Sequence, residues 1–197
     1  MSLYNTEISR GSLLPLESKR IAALLLTEPD AASWKRAIEV ENILQKDTVG
    51  TAVRQSVLIR KRLATLDATA WTLITERESE VTNQLLFAAA IKQNKLLGDF
   101  MRNVYASRQQ QMEPDISVAS WEDFLTECAH HDSSVASWNE NTKLKIINGI
   151  ARILIEAKYL VDRKSMKLSP RDLHPVVRRY LVERNENFVL DCLERTT

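Results

Sequence analysis

From Asn141 to Val161 the apolar residues Ile146, Ile147, Ile150, Ile153, Leu154, Ala157, Leu160 and Val161 recur every three or four positions. A strand would need a period of two, so this stretch is set up as a helix with one broad buried stripe. Such a stripe must be covered by other elements of the fold. Gly and Pro number only four and five in 197 residues. A sheet protein needs many tight turns and a helical one few, so helices are expected to provide the cover.

The same reading along the chain predicts an all-α fold, a compact multi-helix bundle of about nine helices. Leu16 to Thr27 carries Ile21, Leu24 and Leu25 at helical spacing, and Asp30 can cap a short helix holding Trp34, Ala37 and Ile38. Thr48 can cap a longer helix reaching about Leu66, and Asp67 another with Trp71 and Ile74. Ser79 to Gln93 is apolar on most sides and is expected at the centre. Lys95 to Met112 follows, and then a helix capped by Ser120 that holds Trp121, Phe124 and Leu125. After the periodic segment a small β-hairpin is expected over 159–168, with the polar tip Asp162-Arg163-Lys164-Ser165. Ser169-Pro170-Arg171-Asp172 has the layout of a helix start, and Pro175 marks a break or kink beyond it. Glu113-Pro114-Asp115 is the clearest interruption. It divides the chain into an N-terminal helical subdomain, 1–112, and a C-terminal one, 113–197.

The formal net charge is +1, so any attraction for phosphate has to come from how charge is distributed. From Thr48 to Leu66 there are four basic residues, Arg54, Arg60, Lys61 and Arg62, and no acid. From Lys158 to Arg179 seven basic residues face two acids, Asp162 and Asp172. Between these runs, Glu113 to Asp132 holds six acids and no Lys or Arg. At about 100° per residue, Arg54, Lys61 and Arg62 project opposite Val49, Val53 and Leu63, on a face where they could meet successive phosphates. Arg60 projects near the apolar stripe, so its stem is expected to pack inward and its head to meet a carboxylate or reach solvent. In the second run Arg163, Lys164 and Lys167 lie in the hairpin, with Arg171, Arg178 and Arg179 after it. A helix, a basic-tipped hairpin and a basic helix in that order resemble a winged helix, whose wing touches the DNA backbone. An ordinary solvated helix face, and an ordinary hairpin over a core edge, are the plainer readings of the two runs.

Little in the sequence suggests catalysis. There is no GxxxxGK[ST], GxGxxG or GxSxG motif, and the four glycines are widely separated. Cys128, His130 and His131 lie close together, but the further donors (Glu127, Asp132, His174, Cys192) have no metal-site spacing, so no metal and no cofactor is expected. Two distant cysteines outside any CxxC pattern suit a reducing compartment. The N-terminus lacks a signal-peptide layout. The longest apolar runs, 21–26 and 85–91, fall far short of the roughly 20 residues of a membrane-spanning helix. A cytoplasmic protein without membrane contact is expected, with a monomer favoured.

The order of several short motifs is similar to the BrxA family, a component of bacterial BREX phage-defence systems. These are Gly11-Ser12-Leu13, Glu17-Ser18, Ile21-Ala22, Trp34, Glu41-Asn42-Ile43-Leu44-Gln45 and Thr48. The likeness continues through Arg54, Arg62-Leu63, Leu85 to Ile91, Asp99-Phe100 and Val104, then Thr142, Lys145-Ile146, Ile153-Leu154 and Glu156-Ala157. Lys158-Tyr159 departs from it, standing where a Gly-Leu pair would be commoner. The resemblance implies a helical fold like that of the antitermination factor NusB, no enzymatic activity, binding to double-stranded DNA, and other BREX proteins as further partners. RNA binding, and a purely protein-binding scaffold role, are the alternatives to duplex DNA.

Overall fold

The computed structural model describes residues 2–194. They form two compact units: residues 13–93, and the segment up to Ser12 joined with the chain from Asn94 onward.

The first unit holds α1 (Pro15–Leu26), α2 (Ala31–Lys35) running into a π-helical turn (Arg36–Val40), α3 (Val49–Leu63), α4 (Ala68–Glu76) and α5 (Ser79–Gln93). The expected caps are in place. The side chains of Asp30, Thr48 and Asp67 accept from the amides of Ser33, Thr51 and Ala70, which would otherwise lack partners at the helix starts. α5 is central as its composition predicts: Leu85 to Ile91 are all buried, with α1, α3 and α4 packed around it. A helix apolar on every side cannot remain stable at a surface.

The second unit contains a 3₁₀ turn (Glu7–Arg10), then α6 (Lys95–Phe100), a π-helical turn (Met101–Tyr105) and α7 (Ala106–Gln110). It continues with α8 (Val118–His131), α9 (Ser133–Ala136), α10 (Glu140–Glu156), α11 (Pro175–Glu183) and α12 (Asn187–Glu194). The Glu113-Pro114-Asp115 interruption therefore falls inside a compact unit, unlike the division at 112/113 expected from the sequence. The physical reason is aromatic. Phe100 of α6 stacks on Trp121 of α8 at 4.2 Å and meets Phe124 edge-on at 5.2 Å, while Tyr105 meets Tyr159 edge-on at 5.6 Å. The Tyr105 hydroxyl donates to the Tyr159 carbonyl (2.8 Å), and burial raises its pKa well above the ordinary phenol value. Arg108 adds a polar tie, donating to the hydroxyls of Ser117 (2.7 Å) and Ser120 across the interruption. The N-terminal segment is pinned in the same unit. The Tyr4 hydroxyl donates to Asp99 (2.8 Å), and Asp132 accepts from the Tyr4 amide (2.9 Å). That amide holds the Asp132 carboxyl well below the usual carboxylate range.

Several boundaries differ from those expected. Ser117, not Ser120, caps α8, its hydroxyl accepting from the Ser120 amide. α10 stops at Glu156 instead of continuing to Val161. The Ser169-to-Asp172 stretch is not a helix start. α11 begins at Pro175, with His174 Nδ1 accepting from the Val176 amide at 3.2 Å. Pro at the first helical position needs no amide partner, so Pro175 opens a helix instead of kinking one. The expected hairpin exists only as isolated pairing. Leu160 bridges antiparallel to Leu168, and the Val161 amide donates to Lys167 (3.0 Å). A third segment, unforeseen in the sequence, flanks it: Asp115 bridges to Lys167, and the Leu168 amide donates to the Pro114 carbonyl (2.8 Å).

The early end of α10 is a Schellman turn. The Lys158 amide donates to Ile155 (3.0 Å) and the Tyr159 amide to Leu154 (2.8 Å), with Lys158 left-handed at φ 69°. Gly usually occupies that position, because a Cβ there costs about 1–2 kcal/mol. Lys158→Gly is therefore expected to stabilise the protein by about 1 kcal/mol, raising the urea midpoint. A lowered midpoint would show that the lysine side chain supplies more than the backbone strain costs.

Candidate nucleic-acid interface

On α3 the buried face consists of Ala52, Ser56, Ile59 and Leu63, not of the valines. Val49 is 54% exposed and Val57 60%. Small residues mark where this helix approaches its neighbours, and an apolar projection gives them little weight. The corrected stripe leaves Arg54 and Lys61 on the opposite, exposed face. It also moves Arg62 to the flank toward α5. Arg62 is buried (5% exposed), and its Nε donates to Gln93 Oε1 at 3.0 Å. It is therefore a packing residue and leaves the expected solvent-facing set. Arg60 is exposed, and its guanidinium lies 4.4 Å from the Trp34 ring centre instead of meeting a carboxylate.

In the other unit, Arg163, Lys164, Lys167, Arg171, Arg178 and Arg179 are all exposed. The tip is fixed by Asp162, whose carboxylate accepts from the Lys164 amide (2.8 Å) and from the Ser165 amide and hydroxyl (2.9 and 2.8 Å). These donors, the Ser165 amide foremost, hold Asp162 below its ordinary pKa. The carboxylate so held stays charged and orders the turn beside Lys164. Arg163 reaches back to Asn148 of α10 at 2.7 Å, and Arg171 Nε donates to the Lys158 carbonyl at 3.3 Å. Lys158 is exposed beside them and belongs with the set. It falls within the basic run seen in the sequence, although its charge alone did not single it out.

Pairing separates these groups from many other cations of the chain. Lys46–Glu17, Lys95–Asp99, Arg102–Asp191, Arg108–Glu113 and Lys143–Glu140 are ion pairs. Arg178 is paired too, with Glu194 at 2.7 Å, so it is a weaker candidate than its neighbour. Among the described residues, Lys158, Arg163, Lys164, Lys167, Arg171 and Arg179 have no carboxylate partner in an ion pair. Six exposed cations within a 22-residue stretch (158 to 179) thus stand outside any ion pair, with Arg163 and Arg171 held by neutral oxygens. Their charge is available to an outside anion without first breaking a bridge.

Burial pushes the thiols of Cys128 and Cys192 up to about 12, so neither is nucleophilic at neutral pH. Among the described residues no three His, Cys, Asp or Glu side chains are grouped to hold a metal ion. Among those residues, too, no helix is long and apolar enough to cross a membrane.

The comparisons with known proteins agree with one another. The profile of the BrxA family matches residues 2–185. The BREX protein BrxA of Paramagnetospirillum magneticum is 38% identical over 191 residues, covering 97% of this chain and 96% of its own. The BREX protein BrxA of Escherichia coli O9:H4 is 33% identical over 184 residues, covering 93% and 86%. A crystal structure of an uncharacterized protein from Magnetospirillum magneticum superposes with a TM-score of 0.87. It is 36% identical and covers 96% of this chain and 97% of that one.

Proposed function

The chain belongs to the BrxA family of BREX phage-defence systems, and from that premise we propose that it is a non-enzymatic accessory protein holding duplex DNA through its phosphates. The observation that carries this reading is the set of exposed basic residues outside any ion pair among the described residues, Lys158, Arg163, Lys164, Lys167, Arg171 and Arg179. Arg54 and Lys61 offer a second, smaller basic patch on the other unit. Such a set suits backbone contact, which positions a protein on DNA without reading sequence. Single strands are disfavoured because the aromatics nearest the set, Tyr159 and Tyr180, are buried (0% and 4% exposed) and offer no face for a base. A role on DNA also implies the cytoplasm as the working compartment.

The test is binding to a random-sequence duplex as salt rises. About four phosphate contacts predict roughly a hundredfold loss of affinity between about 50 mM and about 200 mM salt. Single-stranded and duplex RNA, added as competitors, should displace the DNA poorly. Salt-independent binding, or preferential displacement by RNA, would refute the proposal.

A further inference from the structure

We propose that the exposed face of α3 is a docking surface for an acidic amphipathic helix on a partner protein. It lies in the first unit and goes beyond the phosphate reading, which is carried by residues 158–179 of the other unit. α3 runs for 15 residues and packs through Ala52, Ser56, Ile59 and Leu63. Away from that face, Val49, Val53 and Val57 form one row at a spacing of four, so they lie side by side along the helix. Val49 is 54% and Val57 60% exposed, with Val53 half-buried between them. A Cβ built on Gly50, beside the start of the row, would meet nothing within 4 Å. Burial within the chain does not account for such a row, and a phosphate backbone offers valines nothing to pack on.

Charge selects the occupant, and the face itself carries it. Arg54 stands beside the row, and Arg60 and Lys61 continue it toward the end of the helix, all three exposed. Residues 48–66 contain no acid. Arg54 is bonded to a neutral oxygen, the Thr51 hydroxyl at 3.3 Å, and Arg60 is ordered over the Trp34 ring, so both keep their positive charge. Two acids belong to the π-helical turn packed against α3, and each is paired within its own segment: Glu39 with Lys35 at 4.0 Å and Glu41 with Arg36 at 3.0 Å. A helix with a short apolar row flanked by Glu or Asp matches both the valines and the cations. A basic helix, or α3 of a second copy, would meet like charge.

The experiment is calorimetric titration of the full chain with a synthetic helical peptide of about four turns, leucines along one face and Glu flanking them. Two controls accompany it: a twin with Lys in place of Glu, and a scrambled peptide of the same composition. The acidic peptide is expected to bind at least about tenfold more tightly than either control. Arg54→Glu, and separately the pair Val49→Ser and Val57→Ser, should each weaken it by about tenfold, with unchanged helical circular dichroism. Changing Lys164, Lys167 and Arg179 to Glu should leave peptide affinity as it is, which locates the contact on α3. Equal binding of the twin or the scrambled peptide would overturn the proposal, as would indifference to the α3 substitutions or loss of binding in the 164, 167 and 179 variant. Displacement of the peptide by random duplex DNA would overturn it too, assigning the face to phosphates. Self-association in sedimentation velocity that the valine substitutions abolish would overturn it in favour of a second copy of the chain. The serine substitutions leave every cation in place, so affinity for DNA should not change in that variant, and this proposal and the DNA reading can fail separately.

Discussion

Replacing Lys164, Lys167 and Arg179 together with glutamate is expected to lower affinity for random duplex DNA about a hundredfold at low salt, uniformly across sequences. All three are exposed, and none is in an ion pair among the described residues, so the substitutions break no bridge and empty no core. The loss corresponds to roughly 1 kcal/mol for each phosphate no longer held. Gel shifts on several unrelated duplexes would measure it, alongside thermal melting to show that folding is intact. Arg178→Glu is the informative contrast. Its partner Glu194 already neutralises it at 2.7 Å, so its effect on DNA should be much smaller than that of Arg179→Glu. A triple variant that binds as tightly as the parent would remove these residues from the interface.

Gly149→Val should destabilise the second unit by about 2–3 kcal/mol. Gly149 is a helical residue in the middle of α10, where the helix meets the N-terminal 3₁₀ turn. A Cβ placed there would lie 2.5 Å from the Ile8 carbonyl oxygen, 3.0 Å from its carbon and 3.1 Å from Ser9 Cα. These are backbone atoms that cannot rotate away. Either the turn lifts off, exposing Ile8 (2% exposed), or α10 shifts against its own core. Urea denaturation would show a lower midpoint, and hydrogen exchange would show weakened protection concentrated at residues 4–10. An unchanged midpoint would mean that the turn is not seated on α10.

These two predictions draw on features of differing legibility. The helices were readable because their signals are local. The side-chain caps at Asp30, Thr48 and Asp67, the apolar stripe of α10 and the all-round apolarity of α5 each depend on neighbours within a few residues. The end of α10 was harder to place, because Lys158 takes the left-handed position that Gly would have advertised. The division into units was hidden, since the contact of Phe100 with Trp121 depends on distant packing while the Pro114 interruption is conspicuous in the chain.

The candidate site was half legible for a similar reason. Charge runs can be counted in a sequence, and the seven basic residues from Lys158 to Arg179 are all exposed. Whether a cation is buried or already paired depends on tertiary neighbours. Arg62 against Gln93 and Arg178 against Glu194 could not be foreseen. The small residues Ala52 and Ser56 set the packing face of α3, yet a hydrophobic projection passes over them.

The central claim is that exposed cations of residues 158–179 hold DNA through phosphates, and the most direct measurement is the slope of log affinity against log salt for the parent chain and for the Lys164, Lys167 and Arg179 triple variant. Fluorescence anisotropy with a labelled random duplex gives both. The parent slope should be near about −4, and the variant slope shallower by about 2.7, or about 0.9 for each phosphate left without its cation. Identical slopes for the two proteins, or a parent slope near zero, would contradict the account.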